Sequence, residues 1–419
     1  MKMQVRTVLM LIALATMGLT GCGHYTCGAN FGNSTCNGGP ASLTGSGSGN
    51  AAAAFVFVSS GNASSGQMAG YTLNTSVNPP TLSTTPNYTP PATPAFDAGM
   101  GIAVAQKQFL YTAFGSTNQI FGWSIGTDGI LTAVPGSPYS VAFGNGGSTN
   151  FEINSITTNP AGTLLFIGDT NPNKIFVYQI GAGGALTAAA GSPFPVGIIP
   201  GNLATDGLGK FLYFTEAFSG HTGLQVGAYS IGSGGTLSAV PGNPFPFPMW
   251  QVKGEPTGQF LIGTQGMSVP VNGADDNNLY VFSITQSGAN AGQIAAASGS
   301  PFPTATSPFN IAVQTNSGGN LVYGFGLDDA GLAFNPVEGY VLSSTGSLSA
   351  ENGSPFTIAN VGSMGQFDQG GGLLFMYGGV VIGNTVAYTV TSFDVTSGNL
   401  TTPTGIGTFG GFWVATDAP

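Results

Sequence analysis

Charge is what this sequence has least of. Only 5% of its 419 residues are charged. Its single arginine is Arg6, and past the first six residues the cations are Lys107, Lys174, Lys210 and Lys253. Against 16 acidic residues these four leave a net charge of −12 once the N-terminal segment is set aside. A polyphosphate backbone is held by Lys and Arg, so nucleic acid is excluded as a partner. Histidine is almost as scarce: of two, only His221, in SGHTG, lies beyond the N-terminal region. One imidazole without arginine is a poor acid/base set, and a loop histidine facing solvent is expected. No G-x-S-x-G stands between a strand and a helix, so a hydrolase triad has no support. No apolar run is long enough to cross a bilayer, the longest being TVLMLIALATMG after MKMQVR.

That run reads as a signal peptide, residues 1–21. It ends in Leu19-Thr20-Gly21-Cys22, which looks like a bacterial lipobox. Cys22 is therefore the expected lipidation site and membrane anchor. Gly23 follows where an aspartate would favour retention at the inner membrane, so the bacterial outer membrane is the expected address. The remaining pair, Cys27 and Cys36, is expected to form a disulfide in an exported chain. A zinc site there has no fourth ligand beyond His24. NGGPASLTGSGSGN then completes a flexible tether, residues 22–54.

From residue 55 to 419 the chain repeats. GSPY begins at Gly136, GSPF at Gly191, GNPF at Gly242, and GSPF again at Gly299 and Gly353. A period near fifty residues that carries alternating strands and no helical pattern predicts propeller blades. Within each unit a short apolar stretch (NLATD, NIAVQ) precedes an alternating strand (KFLYFTE, QFLIGTQ). A second alternating strand follows (KIFVYQI, NLYVFSI), and then G-x-L-T or G-x-L-S opens a short outer strand. Gly-Ser-Pro-Phe is expected to end that outer strand and start the crossing to the next blade, with its aromatic buried between blades. Strand pairs give seven units, the first FVFVSSG with AGYTL and the others with second strands near Phe109, Leu164, Phe211, Phe260, Leu321 and Leu373. GFWVATDAP at the chain's end matches the innermost-strand pattern and is expected to complete the first blade. The fold expected is all-β: a seven-bladed propeller of four-stranded antiparallel blades closed by the C-terminal strand, with six or eight blades the outcome if one unit has been merged or split.

PGNLATDGLGKFLYFTE (Pro200–Glu216) and PFNIAVQTNSGGNLVYG (Pro308–Gly324) carry a resemblance to the bacterial seven-bladed lactonase-like propellers, the YVTN-repeat family. The resemblance runs from about Phe55 to the C-terminus. It implies the propeller fold and, in some members, hydrolysis of sugar lactones. In the lactonases an Arg-His pair often opens an innermost strand and an acid follows the second strand. Here the pair is replaced by Asn154-Ser155, Gly201-Asn202, Trp250-Gln251, Phe309-Asn310, Ser363-Met364 and Phe412-Trp413. Glu216 falls one residue before the family's acidic position. Of the cations that could hold a phosphate, the channel offers only Lys253.

Aromatic faces beside uncharged amides suit a neutral polar ligand such as a glycan. The candidate ligand site is therefore Asn154, Ser155, Asn202, Trp250, Gln251, Phe309, Asn310, Phe412 and Trp413 at the channel mouth. The leading expectation is a lipid-anchored envelope scaffold that binds a glycan or a protein partner, with no cofactor, and the residue set leans against catalysis. The alternative is a sugar-lactone hydrolase with a degenerate site, using Glu216 and Lys253. A third reading is a passive surface protein. The acid pairs Asp275-Asp276 and Asp328-Asp329 are the only calcium candidates; neither has EF-hand spacing, and ordinary loop turns are expected.

Overall fold

The computed structural model describes residues 54–62, 65–74, 81–94, 101–144, 153–171, 173–217, 225–266, 276–316, 319–327, 337–358, 364–367, 373–382, 385–395, 400, 406–408 and 413–417. Cys22, Cys27, Cys36, His221, Asp275, Asp328, Asp329 and Phe412 lie outside these residues, and the readings made of them rest on sequence.

Strand alternation explains how the blades pack. In Phe211–Glu216, Phe211 and Tyr213 point into one apolar cluster while Leu212 and Phe214 point into another. Side chains of a strand alternate between faces, so a strand buried on both sides feeds two cores. The first cluster is shared with the blade that follows and the second with the blade before. Each blade is thus glued to both neighbours by apolar burial. The same arrangement recurs in Phe109–Phe114, Leu164–Thr170, Phe260–Thr264 and Gly319–Leu327.

The architecture is an all-β propeller of antiparallel four-stranded blades. Blade 1 runs in order through Ile102–Ala105, Phe109–Phe114, Gln119–Ile125 and Leu131–Ala133. The innermost strands of blades 2 to 6 are Ile153–Thr158, Pro200–Thr205, Gln251–Gly254, Ser307–Asn316 and Met364–Phe367. Each packs beside its predecessor, so the six stand side by side. Six blades are built from consecutive strands, not the seven expected. The first unit of the sequence count is not such a blade: Ala54–Asn62, Ser65–Asn74 and Thr81–Thr84 share a composite sheet with Trp413–Asp417. Phe55 pairs with Asp417 and Ser59 with Trp413, while Phe55, Phe57 and Met68 pack on Leu110 and Trp123 of blade 1.

The recurrent Gly-Ser-Pro-Phe corrects a second expectation. It interrupts the outermost strand instead of ending it. After the motif the chain pairs again with the same third strand: in blade 2, Leu186–Ala188 pairs with the end of Asn173–Ile180, and Phe194-Pro195 pairs with its start. Gly191 takes φ 86°, the left-handed region that glycine adopts without penalty. The Ser192–Pro193 peptide is cis, as in the four other copies. The Ser or Asn side chain then accepts from the third strand's backbone, Val177 N to Ser192 Oγ at 2.9 Å and Ala228 N to Asn243 Oδ1 at 2.7 Å. That N–H is left over by the interruption, so the motif repairs the ladder it breaks. Ser192→Ala would strand the N–H of Val177, a fully buried residue, and is expected to cost about 1–3 kcal/mol, read by chemical denaturation.

Candidate functional site

The site is the end of the channel where the innermost strands begin. Three of these strands open on a β-bulge: the register breaks between Ile153 and Ser155, between Pro200 and Leu203, and between Pro308 and Asn310. A bulge takes a residue out of the ladder and re-aims its side chain, and bulges gather at the rims of closed sheets. The bulged positions include Asn154, Gly201 and Phe309, those where the lactonase pattern that the sequence resembles has arginine. At Gly201 a Cβ would stand 2.8 Å from Thr215 Oγ1 and 2.9 Å from Thr215 O, so no longer side chain fits without movement.

One residue near the start of each of four innermost strands, at the bulge in three of them, staples two blades together. Ser155 Oγ accepts from Leu203 N (3.1 Å), Asn202 Oδ1 from Val252 N (3.1 Å), Gln251 Oε1 from Ile311 N (2.6 Å) and Asn310 Oδ1 from Gly365 N (3.0 Å). These N–H groups belong to the edge of the innermost strand that no further strand covers. Side chains of the preceding blade cap them in place of a ladder. With one lone pair of each oxygen used this way, the carboxamides still carry NH2 donors and Ser155 its O–H. The mouth therefore carries uncharged donors, held on a rigid frame.

Two threonines tighten the frame. Thr215 Oγ1 accepts from Asn202 N (3.0 Å) and donates to Trp250 O in the next blade (3.2 Å). Thr264 Oγ1 accepts from Gly266 N (3.2 Å) and donates to Pro308 O. Both sit five residues into a second strand, where the sequence showed only alternation. Trp250 N donates to Thr264 O, and the Trp250 ring packs over Gly266. Trp250 and Phe309 stay half-exposed at the rim.

Carboxylates come from the second strands. Glu216, half-exposed, lies directly across from Pro200 in the ladder. Asp169, which sequence reasoning missed, occupies the same place in blade 2, and its neighbour Gly168 packs on Pro200. The signal was available, because FLYFTE and LLFIGD align acid on acid. Asp169 is fully buried and accepts from Gly144 N (3.1 Å) and Asn171 N (3.0 Å). Burial outweighs those bonds and Lys174 opposite, and pushes its carboxyl up to about 6. Burial also raises Asp206, in the turn between the first two strands of blade 3, and Glu351, which accepts from Tyr323 OH at 2.6 Å.

These three acids bind protons more readily folded than unfolded. Their penalty is absent below the ordinary carboxylate pKa near 4 and complete above the raised one. Stability is therefore expected to rise as pH falls from 7 toward 5. A thermal melt series checks this, and Asp169→Asn should flatten the slope near pH 6.

Structure joins some sequence candidates and separates others. Ser155, Asn202, Gln251 and Asn310 form the stapled series, with Trp250, Phe309 and Glu216 beside it. Asn154 occupies the bulge of blade 2, and Trp413 pairs with Ser59 in the composite sheet. Lys253 sits two residues deeper than Gln251. Asp276 lies in the loop before Asn278–Ile284, where Asn278 Nδ2 donates to its Oδ1 at 2.7 Å, and its backbone O accepts from Ser307 Oγ (3.1 Å) at the start of the blade 5 innermost strand. Among the described residues no three of His, Cys, Asp and Glu gather to hold a metal.

No protein-family model matches the chain. It is 30% identical over 112 residues to the 6-phosphogluconolactonase of Xenorhabdus nematophila, a match covering 26% of this chain and 29% of that one. Over 138 residues it is 27% identical to the 6-phosphogluconolactonase of Erwinia tasmaniensis, covering 33% of this chain and 36% of that one. It thus spans about a third of the length of the curated relatives it matches. Among solved structures it is similar to the periplasmic gluconolactonase of Pseudomonas aeruginosa, with a TM-score of 0.56 and 12% identity over 87% of this chain and 99% of that one. The last likeness is one of fold, and together they describe a lactonase-like β-propeller.

Proposed function

We propose that this protein is an envelope hydrolase, anchored through Cys22, that opens an unphosphorylated sugar lactone at the channel mouth. In the same reading the composite sheet acts as a seventh blade and closes the ring, since its strand Trp413–Asp417 also packs against the innermost strand of blade 1. The observation that carries the proposal is the meeting of uncharged donors and a carboxylate on one rim, in a chain whose curated relatives are lactonases.

The chemistry follows from those groups. Glu216 takes a proton from a water molecule as its oxygen attacks the lactone carbonyl. The tetrahedral oxyanion is met by the NH2 groups of Asn202, Gln251 and Asn310, donors that need no reorganisation because their oxygens are pinned. Collapse breaks the ring C–O bond, and the proton held by Glu216 passes to the departing oxygen. Trp250 and Phe309 supply apolar faces for the C–H side of the sugar. Nothing on the rim supplies the arginine that a phosphate would need, and Gly201 has no room for one.

The test is proton release from glucono-lactone and from its 6-phosphate in the presence of the purified protein. Catalysis above the spontaneous rate is expected for the unphosphorylated lactone, with kcat/KM higher than for the phosphate by about tenfold or more. Binding of neutral sugars without turnover of any lactone would favour the glycan-binding scaffold instead.

A further inference from the structure

The stapling bonds put the innermost strands in register, so positions around the channel can be compared. Ser155, Asn202, Gln251, Asn310 and Met364 share one level. Two residues deeper the level reads Ala103, Thr157, Ala204, Lys253, Ala312 and Gln366. Ala103, Ala204 and Ala312 are buried and end at Cβ. Lys253 places a four-carbon stem where they stop. It is mostly enclosed by protein yet keeps some accessible surface on the innermost strand.

Among the described residues this lysine has no counter-charge and makes no ion pair. Burial alone, without any carboxylate, pulls its ammonium below the usual lysine range. The acid next along the chain is already committed: Glu255 Oε1 accepts from Gln259 N (2.6 Å), Phe260 N (3.1 Å) and Thr257 Oγ1 (2.5 Å), and Oε2 from Thr257 N (2.8 Å). Elsewhere Lys174 faces Asp169 across the ladder and Lys210 is exposed. An enclosed cation without a partner is costly to the fold, and an anion entering the channel would offset that cost.

We propose that Lys253, with the NH2 of Gln251 on the same strand face, holds the carboxylate of an open-chain sugar acid. This rests on the lactonase reading of the mouth and deepens it. Opening a neutral lactone creates one carboxylate. That carboxylate forms at the mouth, about 7 Å above the one enclosed ammonium, two residues along a strand. Lys253 is thus a product site, and the sugar acid inhibits its own formation.

Gluconate, which does not react, isolates this step from hydrolysis. By titration calorimetry the wild-type protein is expected to bind gluconate and to bind the neutral polyol sorbitol at least tenfold more weakly, with acetate between them. Lys253→Met is expected to melt higher than wild type without ligand, because an unpaired enclosed charge is gone, and to lose gluconate affinity tenfold or more. Lys253→Arg keeps the charge and should keep binding. Equal affinity for gluconate and sorbitol in the wild type, no gluconate binding at all, or unchanged binding in Lys253→Met each overturns the proposal. A wild type that binds gluconate through Lys253 yet hydrolyses no lactone would instead remove the lactonase reading and leave a sugar-acid receptor.

Discussion

Glu216→Gln is expected to lower kcat/KM for glucono-lactone by about 10²–10⁴, the range lost when a positioned general base is removed. The substitution keeps the shape of the side chain and removes its negative charge and its ability to take a proton. The backbone around it is held independently: Glu216 N donates to Gln225 O at 2.8 Å, and Ala217 N to Ile199 O at 2.8 Å. The variant should therefore melt close to wild type. Loss of turnover with the melt unchanged places the chemistry at Glu216. A fall of less than about threefold would move the base elsewhere, with Asp169 in the neighbouring blade the next residue to replace.

A chain ending before Trp413 is expected to lose cooperative folding, or to melt at least about 10 °C lower, a shift that in a domain of this size corresponds to several kcal/mol. Trp413–Asp417 pairs residue for residue with Phe55–Ser59. Without it the strand Ala54–Asn62 presents a bare edge, and edges of that kind recruit other chains. Blade 1 also loses a neighbour of its innermost strand. Aggregation on size-exclusion chromatography alongside the lowered melt is the expected pattern. An unchanged melt would mean that the composite sheet does not close the ring.

The propeller was legible because its signal is repeated. Second strands expected near Phe109, Leu164, Phe211, Phe260 and Leu373 begin at those residues. What misled was the meaning of proline. A missing N–H reads as a strand end, but here Ser192 and its counterparts take over the orphaned donor, and the strand resumes at Phe194. The count of seven failed as a count of consecutive blades because one sheet draws on both ends of the chain.

The candidate site is legible only in part. Asn202, Gln251 and Asn310 read in the sequence as replacements at an expected channel mouth, and the structure puts them near the starts of three innermost strands. Their first employment is structural, capping the free edge of the next innermost strand. Which backbone a side chain caps depends on the neighbouring blade, some fifty residues away, and local sequence does not carry it. Thr215 and Thr264 were hidden for the same reason. Asp169 is hard to read from sequence because its acidic character shows only when blade 2 is aligned strand for strand on blade 3.

The most direct measurement is a side-by-side pH-stat assay of the wild-type protein and Glu216→Gln on glucono-lactone at neutral pH. The account predicts hydrolysis well above the spontaneous rate in the wild type and a return to near that rate in the variant. Equal rates in the two proteins, or no acceleration by either, would contradict it.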